Sequence, residues 1–396
     1  MMKQSFFLLP LLFLSFLVGC NQSDTSNDKE VQSPSLSLSP YLGGKVISTP
    51  KKDSTAFSQK ITPLNNDEED VFVLGKSFFE FPWVVAPSST KARDGLGPLF
   101  SANNCITCHM NNSRGFSIDG NLSEGIIPRS LALRLSLNSD VIDETLGFAP
   151  EPTYGHQINR NSAFGLPFEA TPKVEYSYIT DTFSDGESYT LRSPRYYLEN
   201  LGYGELHADT EFSVHVAAQL VGLGLIEAIK EGDILALSDP EDENSDGISG
   251  RQNRVYNRET NSTTGGRFPW KASLPSVRQQ VALALLSDIG ITSPLYSEDS
   301  CGKQQALCIE NSRDEIDAPA YVLDSLEYFL KNIAVPKQRN SETPQVQKGF
   351  TIFKSLDCIK CHHDNYITGE SEVSALSGVE IHPFSDFLIH DMGDGL

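Results

Sequence analysis

Cys105-Ile106-Thr107-Cys108-His109 and Cys358-Ile359-Lys360-Cys361-His362 are the two stretches on which the reading of this chain turns. Each is a C-x-x-C-H run, the attachment pattern of a c-type haem. Two thiols two residues apart can add to the two vinyl groups on one edge of a porphyrin. The histidine that follows directly can then reach beneath the ring to the iron. A pair of zinc knuckles or a redox dithiol is the competing reading. Zinc ribbons place their second cysteine pair within about 12–20 residues of the first. Here the pairs are far apart and each carries its own histidine. The expectation is two covalently bound haem c groups, with thioethers at Cys105, Cys108, Cys358 and Cys361 and proximal ligands at His109 and His362.

The first twenty residues read as a lipoprotein signal peptide. Lys3 gives a short basic start, an apolar run follows from Phe6 to Leu17, and Leu17-Val18-Gly19-Cys20 resembles a lipobox with Cys20 as the lipidated residue. The run is too short for a comfortable membrane span of about 20 residues. Asn21 rather than Asp follows the cysteine, which under lipoprotein sorting rules implies an outer-membrane protein facing the periplasm. Export and haem attachment agree, because c-type haem is joined outside the cytoplasm. Residues 21–70 are rich in Ser, Asn, Pro, Lys and Asp and read as a disordered tether.

The rest is long enough for two packed modules. The chain holds 31 basic against 52 acidic residues, a formal charge of -21, which argues against nucleic acid and anionic lipid surfaces. Membrane contact is therefore expected through the N-terminal lipid only. A small basic electron-donor protein would be steered toward such a surface, although a solvated acidic exterior without any partner also accounts for it. Cys301 and Cys308 stand in a polar loop, and an oxidising compartment favours a local disulfide between them.

The expected fold is mainly α: two cytochrome c-like modules, residues 71–335 and 340–396, with a mixed insertion in the first. A phenylalanine lies five residues before each first cysteine, Phe100 and Phe353, and a glycine lies a little further back. This weak repeat predicts a helix that sets an aromatic beside each haem. Between the runs, Val174–Ile179, the turn Ser184-Asp185-Gly186 and Ser188–Leu191 predict a β-hairpin. Helices are predicted over 217–229, over 276–289 with Gly290 as the stop, and from Pro319 with Leu323, Leu326, Phe329, Leu330 and Ile333 on one face. Asp242, Asn244, Asp246 and Ile248 fit the start of a calcium loop, with Gly247 at the sharp turn. Asn253 stands where the closing Glu belongs, so a solvated acidic turn is the other reading.

Longer blocks carry a resemblance. They include Arg93-Asp94-Gly95-Leu96-Gly97-Pro98-Leu99-Phe100, Val221-Gly222-Leu223-Gly224-Leu225-Ile226-Glu227, Asp246-Gly247-Ile248-Ser249-Gly250-Arg251, Gly266-Arg267-Phe268-Pro269-Trp270-Lys271, and Ser385-Asp386-Phe387-Leu388-Ile389-His390-Asp391-Met392-Gly393. On these the chain resembles the bacterial di-haem oxidoreductases often labelled thiol oxidoreductase, distant relatives of di-haem cytochrome c peroxidases. The resemblance implies one haem that reacts and one that feeds it electrons. Members normally continue past the His-Asp-Met-Gly stretch, so the second module is expected to be incomplete. Met392 is the candidate axial ligand for the second haem. Glu205, His207 and His215 are candidate distal groups at the first, and Trp270 reads as an inter-haem relay or a buried anchor. The expected function is haem-dependent peroxide reduction with electrons from a small periplasmic donor. The alternatives are a non-catalytic electron-transfer cytochrome at the outer membrane and a maturase acting on a partner protein.

Overall fold

Asn65 opens the first helix by accepting the Glu68 N–H, while the Glu68 carboxylate takes the Asn65 N–H in return. This capping box satisfies two donors that a helix start leaves open. The computed structural model describes residues 38–45, 49–116, 125 and 127–393. The expected signal peptide, Cys20 and the first part of the tether lie outside them.

The helices are α1 (Asn66–Glu80), α2 (Leu223–Glu227), α3 (Glu231–Leu235), α4 (Val277–Ala284), α5 (Ala306–Glu310), α6 (Ala320–Lys331) and α7 (Pro344–Ser355). The strands are β1 (Leu99–Phe100), β2 (Leu131–Leu137), β3 (Asn161–Ser162), β4 (Thr171–Thr182), β5 (Ser188–Glu199), β6 (Thr210–Val216), β7 (Arg254–Asn257), β8 (Ser262–Gly265), β9 (Tyr366–Ile367) and β10 (Glu380–Ile381). They pair antiparallel, two by two: β1 with β3, β2 with β6, β4 with β5, β7 with β8, and β9 with β10. Strand, at 22 %, nearly matches helix, at 25 %, so the mainly α expectation is wrong. The reason is local. Haem-run spacing and helix faces are visible in sequence, whereas β1–β3 and β2–β6 join segments far apart in the chain.

The main core forms where α1 crosses α6. Phe72 and Phe79 of α1 meet Phe329 of α6 with ring centroids 5.0 and 5.4 Å apart. Gly75 permits the crossing, since a Cβ there would lie 1.9 Å from the Ser325 carbonyl oxygen. Trp83, Val277, Leu285 and Leu323 join the same cluster, and Cys105 and Ile106 pack against it. Ser276 caps α4 by accepting the Gln279 N–H. A π-helical turn, Leu285–Ile289, continues α4 and ends at Gly290 in the left-handed region.

A second core takes in the segment that follows the other cysteine run. Tyr366, Leu376 and Ile381 pack with Ile61, Leu225, Ile229, Ile234 and Ala334. Half of this cluster comes from residues before 340, so the expected boundary between 71–335 and 340–396 does not separate two self-contained cores. Leu38–Leu396 form one compact unit. The tether expectation is also corrected from Leu38 onward. Leu38, Ala56 and Ile61 are buried, and backbone bridges tie Thr49 to Pro336 and Lys60 to Ile333. A few apolar anchors with remote backbone partners suffice to order a stretch whose average composition is polar.

The predicted hairpin is β4–β5, twelve residues in each strand. The helix predicted over 217–229 is only Leu223–Glu227. Residues 217 and 218 are extended because their backbone bonds elsewhere: Ala217 with Gly115 and Ser130, Ala218 with His109.

Candidate functional site

Both cysteine runs close into the same turn. In the first, the Cys108 and His109 N–H groups donate to the Cys105 carbonyl at 3.2 and 3.1 Å. In the second, Cys361 and His362 donate to the Cys358 carbonyl, the latter at 2.9 Å. The turn puts both sulfurs and the imidazole on one short loop. Asn104 secures the first by accepting the Thr107 N–H at 3.1 Å. Asp357 enters the second in the left-handed conformation, at φ 59°.

The two imidazoles are oriented alike. His109 Nδ1 lies 2.8 Å from the Ala218 carbonyl and His362 Nδ1 lies 3.1 Å from the Phe384 carbonyl. A carbonyl can only accept, so each Nδ1 carries the hydrogen and each Nε2 is left with a lone pair. That is the tautomer an iron-ligating histidine needs. An aromatic ring sits against each: Phe79 at 6.3 Å and 52° from His109, Phe353 at 5.8 Å and 53° from His362. The repeat is real but misaligned in the sequence reading. Phe100 belongs to β1 and is no helix residue. The structural partner of Gly349-x-x-x-Phe353 on α7 is Gly75-x-x-x-Phe79 on α1.

The sites differ in enclosure. Burial, with Asp288 nearby, pushes the Cys105 and Cys108 thiols up to about 12. Burial also lowers the His109 pKa, against the Ala218 bond, and keeps the ring neutral. A redox dithiol needs its thiols shifted the other way, so the first pair does not fit one. Cys105, Cys108, Arg134 and His156 keep part of their surface accessible while burial dominates their titration. Asp288 acts on the first three and Arg134 on His156, so the four are neighbours. His362, by contrast, is exposed.

Sequence reasoning missed the groups gathered beside the first run. His156 Nε2 lies 2.8 Å from Ser287 Oγ, and burial beside Arg134 drops its pKa to about 3. Gln157 donates to Asp288 Oδ1 at 2.6 Å. Residues 134, 157 and 288 come from three separate segments, and the one sequence signal was an arginine in the alternating apolar strand Leu131–Leu137. Of the three predicted distal groups, only His215 is drawn in. It pairs with Ala132 in the β2–β6 ladder, bonds Ser213 Oγ at 2.7 Å and feels the Arg134 charge. Glu205 and His207 are exposed, His207 beside Asp209. Trp270 is 52 % exposed, donates to the Val216 carbonyl at 3.0 Å and lies under Arg114, so it is not a buried anchor.

Met392 is 67 % exposed, and nothing in this arrangement holds its sulfur toward His362. His390 is the residue beside the second run. Cys361 Sγ, an Asp386 carboxylate oxygen and a His390 ring nitrogen lie within 4.8 Å of one another. His390 Nε2 and Asp386 Oδ2 are bonded at 2.7 Å. With Cys361 in a thioether, this pair would border the haem edge. Gly250 makes room, as a Cβ there would lie 2.7 Å from His390 Cε1.

The acidic loop turns its oxygens inward. Asp242 Oδ1 and Asn244 Oδ1 both accept the Asp246 N–H at 2.9 Å, and Asp246 Oδ1 accepts the Ile248 N–H at 3.0 Å. Asp246 Oδ2 lies 3.4 Å from Lys360 Nζ, inside the second run, so the loop docks on that site. Cys301 and Cys308 form a disulfide with Cα atoms 5.7 Å apart.

Two matching turns, each with an imidazole whose Nδ1 faces a backbone carbonyl, fit the attachment of two haems. Residues 168–396, more than half of the chain, match the family described as "Di-haem oxidoreductase, putative peroxidase", and the chain belongs to that family. The match contains the second run; the first lies ahead of it. No curated protein and no solved structure matches the chain.

Proposed function

We propose that the chain is an exported c-type cytochrome that carries two covalent haems and reduces peroxide with electrons from a small periplasmic donor protein. The observation that carries the reading is the shared build of the two runs: a tight turn bearing two thiols, and an imidazole whose Nδ1–H is held by a backbone carbonyl so that Nε2 is free. Cys105 with Cys108, and Cys358 with Cys361, would form the thioethers, with His109 and His362 as proximal ligands. Bound haem supplies one-electron chemistry and an iron that can take a peroxide oxygen.

The chain's own residues do the rest. Reducing hydrogen peroxide to two waters takes two electrons and two protons, so proton-holding groups must sit close by. His156, bonded to Ser287, and Asp288, bonded to Gln157, are the candidates beside the first run. Enclosure of the first run suits substrate chemistry, and exposure of His362 suits electron entry from a partner. Lipidation at Cys20 and a position at the outer membrane, facing the periplasm, belong to the same reading. Calcium in the 242–248 loop is separable from it. Titration of metal-free protein followed by bound-metal analysis decides that point, and an absence of bound calcium removes it.

The test uses matured full-length protein, hydrogen peroxide and a reduced donor. Peroxide consumption is expected. His109→Ala should abolish it while leaving both haems attached by mass. Spectrally intact protein that never consumes peroxide, even after reductive activation, supports the electron-transfer cytochrome instead.

A further inference from the structure

Arg134 is a half-buried guanidinium with nothing among the described residues to hold. Leu131, Leu133 and Leu135 of β2 point into the core at 2–3 % exposure, so Arg134 faces the other way. Its ladder partners, Ser213 on β6 and Gln157 through an isolated bridge, share that face. Gln157 is committed to Asp288 Oδ1 and to the Ser287 carbonyl. Among the described residues Arg134 has no side-chain hydrogen bond and no carboxylate within 4.0 Å, although the field of Asp288 reaches it. Asp288 links that face to the first run: its carboxylate is bonded by Gln157, and its carbonyl accepts the Ser101 and Ala102 N–H groups just ahead of Cys105.

Arg160 is the contrast. It lies nearer the cysteine end, and its guanidinium is engaged by the carbonyls of Ile127, Pro128 and Leu131. Cys108 Sγ lies 3.2 Å from the Arg129 carbonyl, at the entry to β2. Arg134 stands five residues further on, and three residues of strand from Leu131 to Arg134 span about 10 Å. A planar cation with five unused donors, only partly open to solvent, is built for a carboxylate. In haem the two carboxylates lie on the ring edge opposite the vinyl groups, and the vinyl edge is the one the cysteines take.

We infer that Arg134 is the carboxylate anchor of the first site: its guanidinium holds a haem propionate at the edge remote from Cys105 and Cys108. The inference rests on haem attachment at that run. With the anchor in place the propionate is neutralised inside the protein, and the ring is held at both ends.

The experiment compares matured full-length wild type with Arg134→Gln and Arg134→Lys. Mass spectrometry of the peptide containing Cys105 and Cys108 comes first. No haem adduct in wild type defeats the haem reading itself, independently of Arg134. With the adduct present, Arg134→Gln should shift the propionate bending bands of the first haem in resonance Raman spectra. It should also lower that haem's midpoint potential, because a carboxylate charge is left uncompensated near the iron. The second haem should be unaltered, and Arg134→Lys should restore part of both changes. Fluoride, a probe of the ferric iron's open face, should bind as in wild type. If fluoride instead binds about tenfold more weakly, ~1.4 kcal/mol, with unshifted propionate bands, Arg134 serves an anion at the iron and the inference is overturned. Unchanged bands and potential in a fully loaded Arg134→Gln protein overturn it as well. Should Arg134→Gln fail to load haem, the lysine variant decides: it keeps the charge but not the planar two-donor grip, so wild-type propionate bands in it contradict the anchor.

Discussion

At the scale of single residues, the chemistry depends on charges kept where water cannot reach them. Glu169 shows how costly this is. Its carboxylate accepts bonds from the Asn159 N–H and, at 2.7 Å, from Gln305, and both favour ionisation. Burial outweighs them and raises the pKa to about 8, with Glu151 adding repulsion. A raised carboxyl pKa means that the folded state binds a proton the unfolded state has released. The associated stability is complete below the unfolded value of about 4.5 and is lost as pH rises to about 8. Glu169→Gln should therefore flatten the decline in unfolding free energy between those limits, measured by denaturant titration at a series of pH values; an unchanged slope contradicts the assignment. His156 works on the acid side. Its folded pKa is depressed to about 3, so stability falls as pH drops from about 6.5 toward that value. Neither group could be found in the sequence. Cys105, Cys108 and His109 are legible because their chemistry needs neighbours in the chain, whereas Glu169 and Arg134 acquire their character from segments folded around them.

At the scale of elements, the helix pair α1–α6 and the helix α7 offer a controlled comparison. Gly75 and Gly349 hold equivalent places, each four residues before the phenylalanine that packs beside the histidine of a C-x-x-C-H run. A Cβ at Gly75 runs into the Ser325 backbone, while one at Gly349 meets nothing within 4 Å. Gly75→Ala should cost about 1–3 kcal/mol of stability through overpacking. Gly349→Ala should be neutral or stabilising by up to about 1 kcal/mol from helix propensity alone. Chemical denaturation of both variants checks the pair; equal effects would show that the crossing at Gly75 is not tight. Sequence periodicity found α4 with its cap at Ser276 and stop at Gly290, and found α6 from Pro319, because these helices carry one apolar face and clear end signals. It overextended α2, where Ala218 gives its carbonyl to His109 and so cannot stay helical. It chose Phe100 over Phe79 because proximity in sequence hid a 26-residue gap, Phe79 to Cys105, that the fold closes.

At the scale of the whole molecule, the two sites are mounted on one body. The second run leans on residues before 340 through the shared core at Leu225 and Ile229, the bridge from Arg251 to Ile389, and Lys360 against Asp246. The first is enclosed and the second open. That asymmetry is what a protein needs if it takes electrons at one place and uses them at another. The family could be read from the sequence because its short blocks are local. The near balance of strand and helix could not, since each small sheet except the tight hairpins β4–β5 and β7–β8 joins strands more than ten residues apart. The central claim is tested most directly by intact-mass and peptide-mapping mass spectrometry of the matured protein, backed by its optical spectrum. Two haem additions are expected, one on the Cys105–Cys108 peptide and one on the Cys358–Cys361 peptide, with an imidazole-ligated spectrum. Bare thiols at either pair, or zinc in place of iron, would contradict the account.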